Sequence, residues 1–328
     1  MIPIFIGGCE RSGTSLLASM LGSHPNYATT PECQFKVKLA HFLDWSQPID
    51  QDKMKSAIQF IDHHFRFLIW DTAINENNYF ENTDEYSLRS LIEHTVKQYS
   101  WQQLNKINPL VWFDHDPYNF KNRKTILEHF PDACFIHIVR DGRAVAASVM
   151  PLDWGPNTIY HAAHFYKKSL KHGLEAEKEL SKHQIMRVKY ENLVENPSKE
   201  LEAICNWLDI EFSSNMVKAE GFKPPKYTTK QHKAVNQKPD ATKTMSWKQK
   251  LNKEQIKVFE SIAGELLEEL GYECLMRNPT PPGKIRRFIF RKIESYYKEK
   301  NENSMLKRNK WGLSKLNRAI PPLDKIIF

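Results

Sequence analysis

The feature that most constrains this chain lies at its N-terminus. Pro3-Ile4-Phe5-Ile6 is a short apolar run suited to a buried parallel strand, and it ends in Gly7-Gly8. From Ser15 to Leu21, helical spacing puts Leu16, Leu17, Met20 and Leu21 on one face. Between strand and helix, Gly8-Cys9-Glu10-Arg11-Ser12-Gly13-Thr14-Ser15 has the spacing of a P-loop, with Thr14 standing where nucleotide-triphosphate enzymes carry Lys. The physics of the loop survives that change. Glycines let the backbone wrap a phosphate, and loop N–H groups together with a helix N-terminus make an anion site. A Gly- and Ser-rich turn kept only for its conformation is the weaker reading, because Arg11 and two hydroxyls sit inside it.

The rest of the chain repeats the pattern. Leu110–Phe113, Cys134–Val139 and Ile185–Tyr190 read as strands. Leu88–Leu104, Asn122–Phe130, Ala144–Met150, Ile159–His183, Leu193–Leu208 and Lys253–Leu270 read as helices. Such alternation predicts an α/β fold, a P-loop-like parallel sheet flanked by helices. A second basic loop, Arg140-Asp141-Gly142-Arg143, follows the Cys134–Val139 strand, with Ser148 two helical turns beyond Arg140. Ligands in open α/β sheets bind outside the carboxyl ends of strands, so this loop is expected to face the same crevice. Guanidinium suits a phosphate dianion; the competing reading is an ordinary Asp141 ion pair with Arg140 or Arg143. Two anion sites at strand ends fit a nucleotide phosphorylated at both 5′ and 3′ positions.

The net charge of +8 suggests nucleic acid until it is located. Lys284–Phe328 holds 13 basic and 4 acidic side chains, whereas residues 1–283 hold 34 and 35. The body is neutral and nucleic acid is not expected as a partner. Pro279–Pro282 separates a domain over 1–278 from a basic extension over 279–328, whose Arg286-Arg287-Phe288-Ile289-Phe290-Arg291-Lys292 reads as a helix. That tail is expected to dock on an anionic membrane surface, an acidic acceptor or a partner subunit, including a homodimer. Five scattered cysteines without CxxC spacing argue against a disulfide framework and a zinc site, and point to the cytoplasm.

These residues also carry a family resemblance. Gly8–Ser15 resembles the 5′-phosphosulfate loop of sulfotransferases, and Arg140-Asp-Gly-Arg-Ala-Val-Ala-Ala-Ser148 resembles their 3′-phosphate motif. Among them, the chain is most similar to the protein-tyrosine sulfotransferases and their bacterial relatives. The similarity runs through Arg11–Pro25, Asp116-Pro117, Phe130-Pro131, Val188–Leu193, Trp207-Leu208, Trp247 and Leu270-Gly-Tyr272, and covers about residues 2 to 275. It implies the sulfotransferase fold, 3′-phosphoadenosine 5′-phosphosulfate as co-substrate, no metal, and an acceptor hydroxyl on a protein tyrosine, a carbohydrate or a small molecule. Arg11, Ser12, Gly13, Thr14 and Ser15 would hold the 5′-phosphosulfate. Arg140 and Ser148 would hold the 3′-phosphate, with Tyr190 beside them.

Sulfuryl transfer also needs a base. Glu32 matches the glutamate of the tyrosine-sulfotransferase pattern and is the leading candidate; the alternative is a surface Glu beside Lys36 or Lys38. Where such relatives commonly carry Lys at the leaving group, this chain has His115. Protonated through a pKa raised by Asp114 or Asp116, His115 would serve the leaving group; neutral, it would itself be the base. Lys248, with Ser246 and Lys243, is a candidate to cover the co-substrate from the loop Asn236–Lys250. Two other readings stay open: a P-loop kinase, disfavoured by Thr14 and by an Asp141 flanked by arginines, and a non-catalytic nucleotide or anionic-ligand binder. Acceptor selectivity is expected in Trp45–Tyr86 and Ser213–Gln249. Phe60, Phe65, Phe67, Trp70 and Tyr79 are candidates to line the pocket, although Ile58–Trp70 also has the spacing of core.

Overall fold

The computed structural model describes residues 1–228, 237 and 239–327. Five strands, β1 (Ile2–Gly8), β2 (Tyr27–Thr29), β3 (Val111–Asp114), β4 (Cys134–Val139) and β5 (Ile185–Lys189), form one sheet in the order β2-β3-β1-β4-β5. Every pairing is parallel, with Ile4 opposite Phe113 on one side and Phe5 opposite Phe135 on the other. Because strand side chains alternate, Ile4, Ile6, Ile136 and Ile138 enter one apolar cluster with Leu17 and Leu21, while Phe5 and Phe135 enter another with Trp112 and Phe130. A sheet buried on both faces needs the unbroken apolar runs seen at β1 and β4.

The strands and helices expected from periodicity are present to within a few residues. Two differences have local causes. The helix expected over Leu193–Leu208 is two, Tyr190–Glu195 and Pro197–Leu208, because Pro197 has no N–H to continue the first and its fixed φ starts the second. Strand β2 is three residues long, too short to show a period. Helices at Gln51–Asp62 and Phe65–Leu68 carry the aromatic segment. Phe67, Trp70 and Tyr79 are core, each no more than 1% exposed.

The basic tail is a helix from Lys284 to Leu313, and it does not stand apart. Phe290 stacks on Tyr160, Arg308 forms a two-pronged pair with Asp153, and Arg318 reaches Asp62. Leu313 and Ile326 enter the same cluster as Phe5, and Ile327 pairs by backbone with His63 and Phe65. Both halves of the extension therefore pack on the chain's own body. No helix among the described residues is long and apolar enough to cross a membrane.

One buried ion cluster ties the strand ends to the layer beside them. The Lys36 ammonium lies 2.7 Å from Asp114 and 3.5 Å from Asp116, all three almost wholly buried. Burial opposes the charge on Lys36, but Asp114 and then Asp116 outweigh it and raise its pKa. Removing one partner strands the others in low dielectric. Lys36→Met is expected to lower unfolding stability by about 3–5 kcal/mol in urea titrations.

Candidate active site

Each strand delivers one predicted residue to the same edge of the sheet. Arg11 follows β1, Glu32 follows β2, His115 follows β3, Arg140 follows β4 and Tyr190 follows β5. This is the carboxyl-end crevice of an open α/β sheet, and the five-fold convergence results from parallel pairing.

The loop after β1 is held in a shape few sequences allow. Arg11 has φ 70° and Gly13 φ 103°, and a Cβ on Gly13 would sit 2.5 Å from the Tyr190 ring. Only glycine tolerates both that dihedral and that approach. Tyr190 in turn carries Arg140, whose guanidinium lies 4.1 Å from the ring centroid. Arg140 Nη1 donates to the Arg11 carbonyl at 3.0 Å, and Arg11 Nε donates to Ser148 Oγ at 3.2 Å. Arg11, Ser148, Arg140 and Tyr190, from the residues assigned to the two phosphate sites, thus form one chain of contacts. Burial, and next the neighbouring Arg140, lower the pKa of Arg11. Ser12 Oγ and Arg140 Nε are buried without a hydrogen-bond partner among the described residues. Crowded cations and spare donors at a helix N-terminus are the chemistry of an anion site.

The two arginines of the second loop have separate duties. Arg143 is buried, forked onto Asp141 at 2.8 and 3.0 Å, bonded to Glu260 at 2.6 Å and laid over Trp247 at 4.2 Å. It is structural, and Arg140 alone of the pair faces the loop.

Beyond the loop opens a cavity of about 550 Å³ lined by Glu10, Arg11, Thr14, Ser15, Glu32 and His115, among others. Glu32 is 27% exposed, pairs with Arg66 at 3.5 Å and accepts from Gln34 at 2.9 Å. Its partner is neither Lys36 nor Lys38, and Lys36 is spent on Asp114 and Asp116. Burial raises the Glu32 pKa against the pull of Arg66. His115 is 1% exposed, with Nδ1 3.4 Å from Ser15 Oγ. Burial lowers its pKa and outweighs Asp114 and Asp116. Burial thus tells against the protonated alternative and leaves the neutral one, His115 as a base, open. Lys248 is exposed, over the Trp247 ring at 5.8 Å, and is not among the cavity residues. Of the loop Asn236–Lys250, residues 236 and 238 lie outside the described residues.

Sequence reasoning missed Glu10, Arg66, Tyr118, Tyr227 and Arg308 as cavity residues. Arg66 and Tyr227 do lie within Trp45–Tyr86 and Ser213–Gln249, the segments expected to carry acceptor selectivity, and Phe65, a pocket candidate, lines the cavity; Glu10 lies inside the loop itself.

The sulfotransferase family matches residues 3–214 of the chain. The chain belongs to that family. It is 25% identical over 219 residues to a putative protein-tyrosine sulfotransferase of Caenorhabditis briggsae, covering 65% of this chain and 68% of the relative. A protein-tyrosine sulfotransferase of Drosophila melanogaster is 24% identical over 224 residues, covering 67% of this chain and 40% of the relative. Protein-tyrosine sulfotransferase 2 of Gallus gallus is 23% identical, and the chain spans 53% of its length. In structure, the sulfotransferase domain from the curacin biosynthetic pathway superimposes with a TM-score of 0.54 at 16% identity, over 82% of this chain and 97% of that one. The resemblance seen in the motifs and the fold it implies are thereby shown.

The two loop arginines give a direct test of this division. Arg140→Ala is expected to weaken binding of 3′-phosphoadenosine 5′-phosphate by calorimetry at a cost of about 1.5–3 kcal/mol, with little loss of stability. Arg143→Ala should do the reverse, destabilising the fold by about 3–5 kcal/mol in a thermal or urea melt.

Proposed function

We propose that this sulfotransferase-family protein is an enzyme that moves a sulfuryl group from 3′-phosphoadenosine 5′-phosphosulfate to an acceptor hydroxyl. The observation that carries the reading is the contact set Arg11, Ser148, Arg140 and Tyr190 around the left-handed loop, opening onto a cavity that holds Glu32. The co-substrate supplies an activated sulfuryl group and a phosphate leaving group. Arg11, Ser12, Gly13, Thr14 and Ser15 are the residues to hold its 5′ end, and Arg140 and Ser148 its 3′-phosphate. Donors fixed in place before the reaction stabilise developing charge without reorganising, and in most sites of this kind that electrostatic effect contributes more to the rate than any other.

Glu32 is the group placed to take the acceptor's proton. A carboxylate with a raised pKa is a better base than an ordinary one, while Arg66 at 3.5 Å favours its ionised form. Neutral His115, on the cavity wall with Nδ1 3.4 Å from Ser15 Oγ, is the alternative base. The protein-tyrosine names of the relatives make a tyrosine hydroxyl one acceptor to test.

Two further elements belong to the proposal. The outward face of the C-terminal helix shows Ile285, Phe288, Ile289 and Tyr296, each 48% exposed or more, among Arg291 and Lys292. That composition supports peripheral contact with an anionic membrane surface, and a second copy of the chain is the other partner such a face supports. Free cysteines at all five positions support a reducing, cytoplasmic setting.

With 35S-labelled co-substrate, Glu32→Gln is expected to lower kcat by about 10²–10⁴-fold while leaving the affinity for 3′-phosphoadenosine 5′-phosphate unchanged. Because the base works deprotonated and its pKa is raised, wild-type kcat should fall on the acid side at a pH above the ordinary glutamate value of 4.5. A full rate in Glu32→Gln would remove it as base.

A further inference from the structure

The cavity is built from two sources. Its phosphate end comes from residues inside the family match over 3–214, but Phe222, Pro225, Tyr227, Met305, Arg308 and Asn309 come from outside it. Three of these belong to the helix Lys284–Leu313, so the basic tail forms part of one wall. The tail is anchored on both flanks of that wall. Arg308 grips Asp153 at 3.0 and 3.1 Å, Asn317 bonds Asp71 at 2.6 and 2.9 Å, and Ile327 exchanges backbone hydrogen bonds with His63 and Phe65 at 2.8 and 2.7 Å.

A chain of contacts leads from this wall to the candidate base. A Cβ on Gly312 would lie 2.6 Å from Tyr227 Cβ, so the helix backbone presses directly on that tyrosine, and the Arg308 guanidinium lies 5.3 Å from its ring centroid. The Tyr227 hydroxyl accepts from Arg66 Nη1 at 3.2 Å, and Arg66 pairs with Glu32. Tyr227 and Arg66 are therefore positioning residues: the tail fixes one, and it aims the other at the carboxylate.

We infer that the segment Met305–Ile327 builds the acceptor site, and that the acceptor is a compact, neutral hydroxyl compound with an apolar ring body rather than tyrosine within an acidic peptide. This inference rests on the sulfuryl-transfer reading above. Size is the first argument. A cavity of about 550 Å³ that also includes the end of the phosphate loop leaves room for a ring system. An extended peptide spans up to ~3.3–3.6 Å per residue and would have to run past the wall of Met305, Arg308 and Asn309. Charge is the second. The two arginines on this side, Arg66 and Arg308, are already answered by Glu32 and Asp153, so neither is available to an acidic flank without breaking an existing pair. Much of the remaining lining is apolar, Phe65, Ile69, Phe165, Phe222, Pro225 and Met305, beside the polar Gln34, Lys38 and Thr228.

The test uses the full chain, because deleting the tail would strip Leu313 and Ile326 from the core. Binding of 3′-phosphoadenosine 5′-phosphate is measured first by calorimetry. Sulfation is then followed with 35S-labelled co-substrate on a series of phenols and alicyclic alcohols and on an acidic tyrosine peptide, for wild type, Met305→Trp and Tyr227→Phe. The neutral compounds should be turned over in preference to the peptide. Met305→Trp, which fills the wall without touching an ion pair, should raise KM for the larger ring acceptors by about tenfold or more with nucleotide affinity unchanged. Tyr227→Phe should move the acid limb of the pH profile to higher pH, because Arg66 loses the contact that aims it at Glu32. A peptide kcat/KM above that of every ring compound, or a KM indifferent to Met305→Trp, would overturn the inference while nucleotide binding persists. Failure of the wild type to bind the nucleotide would instead sink the co-substrate reading and this inference with it.

Discussion

Arg11 and Arg140 place like charges side by side in a largely buried loop, and the rest of the site follows from how that repulsion is contained. One guanidinium donates to the other residue's carbonyl and lies flat on Tyr190, while the other leans on Ser148. The anchors come from the ends of β1, β4 and β5 and from the helix after β4, so the parallel register of the sheet is what keeps the cations together. Burial makes the arrangement costly by itself, and an anion offsets that cost when it binds. A site already strained toward its ligand has little to reorganise when charge moves during transfer.

The half of the site that could be read from sequence is the half made of local patterns. The glycine loop, the arginine after β4 and the serine two turns later are each fixed by their distance from a strand end, and the fold supplies the remaining dimension. Even there, the choice of Arg140 over Arg143 came from the resemblance and not from spacing. They are three residues apart, and only the distant Glu260 and Trp247 show that the second is a structural ion. Likewise His115 looked protonatable beside two aspartates, but burial outweighs their pull, and both are paired with Lys36, 79 positions earlier in the chain.

The acceptor half was legible only as two segments, Trp45–Tyr86 and Ser213–Gln249, because its individual contacts join residues far apart in the chain. Tyr227 meets Arg66 across 161 positions, Arg308 meets Asp153 across 155, and Asn317 meets Asp71 across 246. No spacing rule reaches such pairs. The surplus of positive charge in the tail pointed outward to a partner. In the structure several of those charges are answered inside the molecule, and the helix that carries them is part of a wall.

That answer bears on the distribution of charge at the reacting centre. Where similar enzymes carry Lys, His115 is uncharged, and the buried Lys36 is held away from the cavity by its aspartates. Positive potential facing a departing phosphate then has two sources, Arg11 and the N–H groups at the start of the Thr14–Leu21 helix. Arg11 is also the group whose charge is already opposed by burial and by Arg140, so negative charge gathering beside it relieves that opposition as well as adding an attraction. On the proposed reading, Arg11 supplies from the loop the positive charge that a lysine at position 115 would carry.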